Sequence, residues 1–316
     1  MSVRLPIGIE WFREIREKGS YYVDKTGMIK ELFEEDFKIS LITRPRRFGK
    51  TLFMDTLREF FDIRRDSREL FEGLEISKYQ ELCDKWMNQY PVLFLTLKDI
   101  AGGDFAAAYG MLQFVVSSLC IEHSYLEDSE RAADTDKEIF RRLSYREGTK
   151  EDIQSALVTL MRMMAAHFGK PVILLVDEYD VPLAKASDRG YYREMLDVIR
   201  GFLGMSWKSN PCMEFAVVTG CLRIAKESIF TGANKFVSNS VSNRRFDRYF
   251  GFTEEEVRGL LEATGLTEHL AKMKHWYDGY LLGEIEVYCP WDVVNHVSML
   301  KLDPQSKPAN YWKDTS

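Results

Sequence analysis

Lys38-Ile-Ser-Leu-Ile-Thr-Arg-Pro-Arg-Arg-Phe-Gly-Lys-Thr51 decides the fold. Residues 39–43 read as a buried strand that feeds a tight loop. The loop ends in Gly49-Lys50-Thr51, and Thr51–Phe61 follows with Leu52, Phe53, Leu57 and Phe60 at helical spacing. A strand, a phosphate-cradling turn and a helix in that order are the layout of a P-loop. Gly49 would let the backbone approach a phosphate. The N–H groups of residues 46–51, from Arg46, Arg47 and Phe48 onward, would bind it, with Leu52 closing the nucleotide-binding set. Lys50 would reach the β- and γ-phosphates, and the Thr51 hydroxyl would sit on Mg²⁺. The positive end of the helix dipole favours the anion. The pattern GxxxxGK[ST] asks for glycine at position 44, and this chain has Arg44.

Pro171-Val-Ile-Leu-Leu-Val-Asp-Glu-Tyr-Asp180 is a continuous apolar run ending in acids. A strand buried on both faces of a parallel sheet looks like this, and ligands bind at the C-terminal ends of such strands. Asp177 is placed to hold Mg²⁺ as a Walker-B aspartate does, and Glu178 to polarise an attacking water. Cys212–Thr219 reads as a further buried strand, and Thr219 at its end is the candidate sensor of the γ-phosphate. Arg223, with Lys226 after it, is the candidate cation for transition-state charge.

The composition is that of an ordinary globule: 316 residues, 45% hydrophobic and 29% charged. A net charge of −6 argues against a general polyanion binder. Three arginine clusters, at 44/46/47, 64/65/68 and 244/245/248, support nucleic-acid contact only weakly. No apolar run approaches the roughly 20 residues of a membrane span, so no membrane partner is expected. The five cysteines are scattered without zinc or redox spacing, as in a reduced cytoplasmic protein. The five histidines are dispersed too, which argues against a metal centre built by the protein alone.

Strands alternating with helices argue for an α/β fold with a mostly parallel sheet. Helices are expected near 26–35, 104–124, 151–168 and 189–204, and a surface excursion at 125–150. Residues 1–250 read as one core with an N-terminal strap. Residues 251–316 read as a smaller helical or winged-helix-like subdomain, whose first helix is capped by Thr253 and Glu256. Trp276, Tyr277, Tyr280 and Trp291 are expected to form its core.

Several segments occur here in one order: Tyr21–Thr26, Arg44–Thr51, Val176–Asp180, Thr219–Phe230, Tyr249–Val257, Trp276–Tyr280 and Trp312–Ser316. Together they resemble the AAA-ATPase-like family of bacterial and archaeal proteins over essentially the whole chain. In that family an Arg-Pro-Arg-Arg-Phe-Gly-Lys loop replaces the usual glycine, so Arg44 becomes a family trait. The resemblance implies a RecA-like P-loop NTPase core of the additional-strand class, with ATP and Mg²⁺ as ligands. It also places Tyr22, Asp24 and Lys25 near the nucleotide. It implies that full-length members continue into a PD-(D/E)XK nuclease-like domain, which would begin about where Ser316 ends this sequence.

The leading expectation is a Mg²⁺-dependent ATPase whose nucleotide state moves the C-terminal region and regulates an effector protein or a homo-oligomer. Two alternatives stay open: a nucleotide-gated switch with little turnover, and a nucleic-acid-directed module serving a nuclease.

Overall fold

A computed structural model describes residues 3–34, 36–221, 229–230 and 235–311. The chain runs α1 (Phe12–Glu17), α2 (Gly27–Leu32), β1 (Ile39–Thr43), α3 (Lys50–Phe61), α4 (Gln80–Trp86), β2 (Val92–Thr96), α5 (Phe105–Glu122), α6 (Asp134–Ser144) and α7 (Lys150–Phe168). It continues with β3 (Val172–Asp177), α8 (Val181–Arg189), α9 (Tyr192–Trp207), β4 (Met213–Gly220), β5 (Phe236–Asn239), α10 (Glu254–Thr264), α11 (Leu270–Tyr277), β6 (Tyr280–Leu282), β7 (Ile285–Val287) and α12 (Pro290–Leu302).

Five parallel strands form one sheet in the order β2-β3-β4-β1-β5. β4 lies between β1, which feeds the loop at Arg44, and β3, which ends in the acids. This is the additional-strand arrangement of a RecA-like P-loop core. Every residue of β1 and β3 is buried, because the sheet is covered on both faces. Val172, Leu174 and Val176 join one core with α5, α7 and α9, while Ile173 and Leu175 join another with α3. The same alternation turns Asp177 toward the α3 side, where Thr51 begins its helix. Thr43 pairs with Gly220, and Thr96 with Asp177, so the C-terminal strand ends come level.

Local chemistry sets the helix limits. Thr149 and Asp152 form a capping box on α7, and Gly169 at φ 68° stops it. The expected box on α10 is present, with the Thr253 N–H donating to Glu256 at 2.8 Å and the Glu256 N–H donating to Thr253 at 3.3 Å. Other expectations shift. The supposed excursion at 125–150 contains α6, which buries Phe140 and Leu143 and is pinned by Arg142–Asp152 and Arg162–Asp136. The helix expected at 189–204 is α9, which starts three residues later, at Tyr192, because Gly190 at φ 83° ends the preceding α8. By length and composition alone α5 is apolar enough to cross a membrane; its Ala108, Leu112, Val116 and Leu119 pack on the sheet.

Among the described residues, the segment after 250 holds three α-helices with a β-hairpin between the second and third, whereas a winged helix places its hairpin after three helices. Val257, Leu260, Met273, Tyr277, Val293 and Val297 form its core. Leu282 and Val287 of the hairpin instead enter the α3-side core of the sheet. Of the four aromatics expected inside this segment, only Tyr277 is buried. Trp276 and Tyr280 are exposed, and Trp291 is part-buried.

Arg44 joins the two regions. Its guanidinium is fully buried and donates to the carbonyls of Thr43 and Asn239 at 2.9 Å and of Arg245 at 3.0 Å. It also lies over the Phe250 ring at 5.1 Å. Burial lowers its pKa to about 10, against the pull of Asp247 and Glu31, so it stays charged at neutral pH. Arg44 thus ties β1 and β5 to the segment that leads into α10. Arg44→Gly, which would restore the usual P-loop glycine, should destabilise the fold by at least about 2 kcal/mol because buried carbonyls lose their donor. Urea denaturation would read this as a lower midpoint, and an unchanged midpoint would refute the anchoring role.

Candidate functional site

The loop after β1 is shaped for an anion. Gly49 caps α3 at φ 84° and ψ 15°, a left-handed conformation that a side chain would strain although nothing crowds the position. Arg47 is also left-handed, at φ 67°. The first N–H groups of the 12-residue α3 have no partner within the helix and face the loop.

The end of β3 faces that loop. The Thr51 hydroxyl donates to Asp177 Oδ2 at 2.8 Å, and the Thr219 hydroxyl donates to Asp177 Oδ1 at 2.5 Å. Lys50 Nζ pairs with Glu178 Oε1 at 3.2 Å and donates to the Pro45 carbonyl at 3.1 Å. The Cys221 Sγ lies 3.3 Å from the same nitrogen and 3.7 Å from Glu178 Oε2. Burial raises the pKa of Glu178, and Lys50 opposes that shift. Glu178 itself sits at φ 54°, a conformation that costs a non-glycine residue about 1–3 kcal/mol and that clusters at active sites. Packing at the end of β4 helps to hold the turn. A Cβ on Gly220 would lie 2.5 Å from Asp180 Oδ1, and the Asp180 carboxylate accepts the Cys221 N–H at 3.1 and 3.2 Å.

Thr51 and Asp177 offer the hard oxygen donors that suit Mg²⁺, which keeps several waters and is completed by phosphate oxygens. No group of three or more His, Cys, Asp or Glu among the described residues could hold a metal by itself. The pair therefore fits a cation that arrives with a phosphate ligand.

A cleft of about 680 Å³ opens over this centre. Gly49, Lys50, Thr51 and Glu178 form its floor. Ile7, Ile9 and Tyr22 of the N-terminal strap form one wall, and Phe252, Leu260 and Trp291 form another. The strap is held to α3, where the Phe12 N–H donates to Asp55 at 2.7 Å and Arg13 pairs with Glu59 at 2.8 Å.

Of the residues assigned to nucleotide binding from the sequence, Arg46, Arg47, Phe48, Leu52 and Tyr22 line the cleft, with Arg46 exposed at its rim. Asp24 does not. Its carboxylate accepts the N–H and hydroxyl of Thr26 at 2.8 and 2.6 Å and the Glu75 N–H at 2.6 Å, so it shapes a turn. Thr219 is fully buried and orients Asp177 rather than lining the cleft. Arg223 and Lys226 lie outside the described residues. Sequence reasoning missed Cys221 beside Lys50, the strap residues Ile7 and Ile9, and two further cleft lysines, Lys98 and Lys185.

Most of the arginine clusters are engaged internally. Arg64 and Arg65 pair with Asp62, Glu59 and Glu122, and Arg244 pairs with Glu284. Arg245 donates to the carbonyls of Glu31 and Leu32 at 2.9 and 3.2 Å.

Comparison with known proteins agrees with this architecture. The chain is 32% identical over 316 residues to an uncharacterized protein in the vnfD 5'region of Azotobacter chroococcum mcd 1. The match takes in 99% of this chain and 54% of that relative, so the chain spans about half the relative's length. A family model described as predicted AAA-ATPase matches residues 6–230, from the strap through β4. With the P-loop sheet order and the loop-to-acid geometry described above, the chain belongs to the predicted AAA-ATPase family.

Proposed function

We propose that the cleft binds ATP with Mg²⁺ and hydrolyses it, and that the nucleotide state reaches the C-terminal segment. The observation that carries this reading is the convergence of Lys50, Thr51, Asp177 and Glu178 at one helix N-terminus, with two direct contacts between loop and acids. The open N–H groups of α3 and Lys50 would take the phosphates. Thr51 and Asp177 would hold Mg²⁺, which supplies charge neutralisation on the phosphate oxygens. Tyr22, Phe252 and Trp291 would enclose the base. In the reaction a water oxygen bonds to the γ-phosphorus and the bond to the bridging oxygen breaks. ADP leaves with the electron pair, and the water's proton passes toward Glu178.

In the described structure Glu178 is held by Lys50 rather than free to orient water. This favours slow basal turnover. ATP would draw Lys50 onto the phosphates and release Glu178.

The loop is also clamped by the C-terminal segment. Arg47 lies over the Trp291 ring at 5.0 Å and donates to the Tyr311 carbonyl at 3.3 Å. Phe48 packs edge-on against Tyr280 at 4.8 Å. Lys25 of the strap donates to both Glu256 oxygens at 2.7 Å and to the Arg248 carbonyl at 2.6 Å. Movement of the loop would therefore be felt along 248–311, a hinge-type coupling. Regulation of an effector or of a second copy would follow from it.

Calorimetry should find micromolar ATP binding with Mg²⁺, about −8 kcal/mol, and lose it in Lys50→Ala. Glu178→Gln should keep binding while phosphate release falls by about 10²–10⁴-fold. Undiminished binding in Lys50→Ala would remove the loop from the site. Amide exchange should change on ATP addition in the β6–β7 hairpin and α12, with a smaller hairpin response in Tyr280→Ala. A hairpin indifferent to ATP in the wild type would count against transmission.

A further inference from the structure

Lys185 is a part-buried lysine that lines the cleft together with Glu178. It lies on α8, and Val181, one turn earlier, lines the cleft as well, so this face of α8 is turned to the ligand space. Among the described residues Lys185 has no ion-pair or hydrogen-bond partner. Lys98, the other lysine of this end, is exposed and sits 3.6 Å from Glu10 of the strap.

The topology says which end this is. The loop leaves β1, the acids end β3, and β4 separates them. Lys50 and Thr51 reach across that gap to Glu178 and Asp177. A triphosphate lying on the loop would point its terminal phosphate across the same gap. The apolar walls from Phe252 and Trp291 lie with the C-terminal segment. α8, which continues from β3, therefore borders the terminal-phosphate end.

Charge balance calls for a cation there. When Lys50 turns to the phosphates, Glu178 loses its partner and faces the terminal phosphate as a part-buried carboxylate. Two like charges in such a place repel strongly. Sequence reasoning assigned the compensating charge to Arg223.

We propose that Lys185 contacts the terminal phosphate of ATP and stabilises its charge as the bond to ADP breaks, so that the chain supplies this cation in cis. The inference rests on reading the cleft as an ATP site. Lys185 keeps its proton throughout; water still supplies the new oxygen and ADP still leaves with the electron pair. ADP lacks the phosphate that Lys185 would touch, so the residue should discriminate triphosphate from diphosphate.

The test measures ADP and a non-hydrolysable ATP analogue by calorimetry with Mg²⁺, beside phosphate release, on wild type, Lys185→Met and Lys185→Arg. Lys185→Met should leave ADP affinity within about twofold and weaken the analogue about tenfold. Phosphate release should fall by about 10²-fold, the scale of losing one charge-stabilising donor, and Lys185→Arg should recover most of it. A purely structural role would move ADP and analogue together, and that result would overturn the proposal. Unchanged affinity and turnover in Lys185→Met would overturn it too, while leaving the ATP site standing. Failure of the wild type to bind either nucleotide would overturn both.

Discussion

The ion pair between Lys50 and Glu178, at 3.2 Å across the end of β4, is the contact on which the site depends. It exists because three separate devices meet. Gly49 starts α3 in a left-handed turn, β4 sets the spacing between β1 and β3, and Glu178 accepts a left-handed backbone that turns its side chain toward the loop. Without nucleotide, the pair neutralises a buried lysine beside a part-buried carboxylate, each of which would be costly alone. On the proposed reading ATP acts by exchanging partners: the lysine moves to phosphate and the carboxylate is released to water. Binding and activation would then be one electrostatic event.

The substitution of arginine for the usual loop glycine fits the same frame. Arg44 does not face the ligand space; its guanidinium points into the protein and closes three carbonyls around β1, β5 and the approach to α10. Arg47 and Phe48 reach outward from the same loop to Trp291, Tyr311 and Tyr280. The loop is therefore built into the C-terminal segment at its base and at its tip. On the proposed reading that construction would carry a nucleotide-dependent movement into the C-terminal segment, whose hairpin residues Leu282 and Val287 share the α3-side core.

Much of this was legible in the sequence, for identifiable reasons. β1 and β3 are short apolar runs ending in chemistry-bearing residues, so strand, loop and acid could be placed together. The α10 cap rests on purely local hydrogen bonds. Long-range geometry was not legible. Asp24 looked like a ligand because it stands in a distinctive motif, yet its partners lie on its own turn and on the distant Glu75 backbone. Thr219 was legible as a polar strand end, but not its hydrogen bond to Asp177, which depends on the pairing of β3 with β4. α6 was hidden by its charged residues, some of which pair with α7. Lys185 gave no signal at all, since a lysine on a short helix ordinarily faces solvent.

ADP affinity of wild type and Glu178→Gln, measured side by side by calorimetry with Mg²⁺, tests the partner exchange most directly. ADP is not hydrolysed, so a change in affinity reports the ion pair rather than turnover. The exchange account predicts that the wild type binds ADP and that Glu178→Gln binds it more tightly, because Lys50 no longer has a carboxylate to leave. Equal or weaker binding by the variant would contradict it.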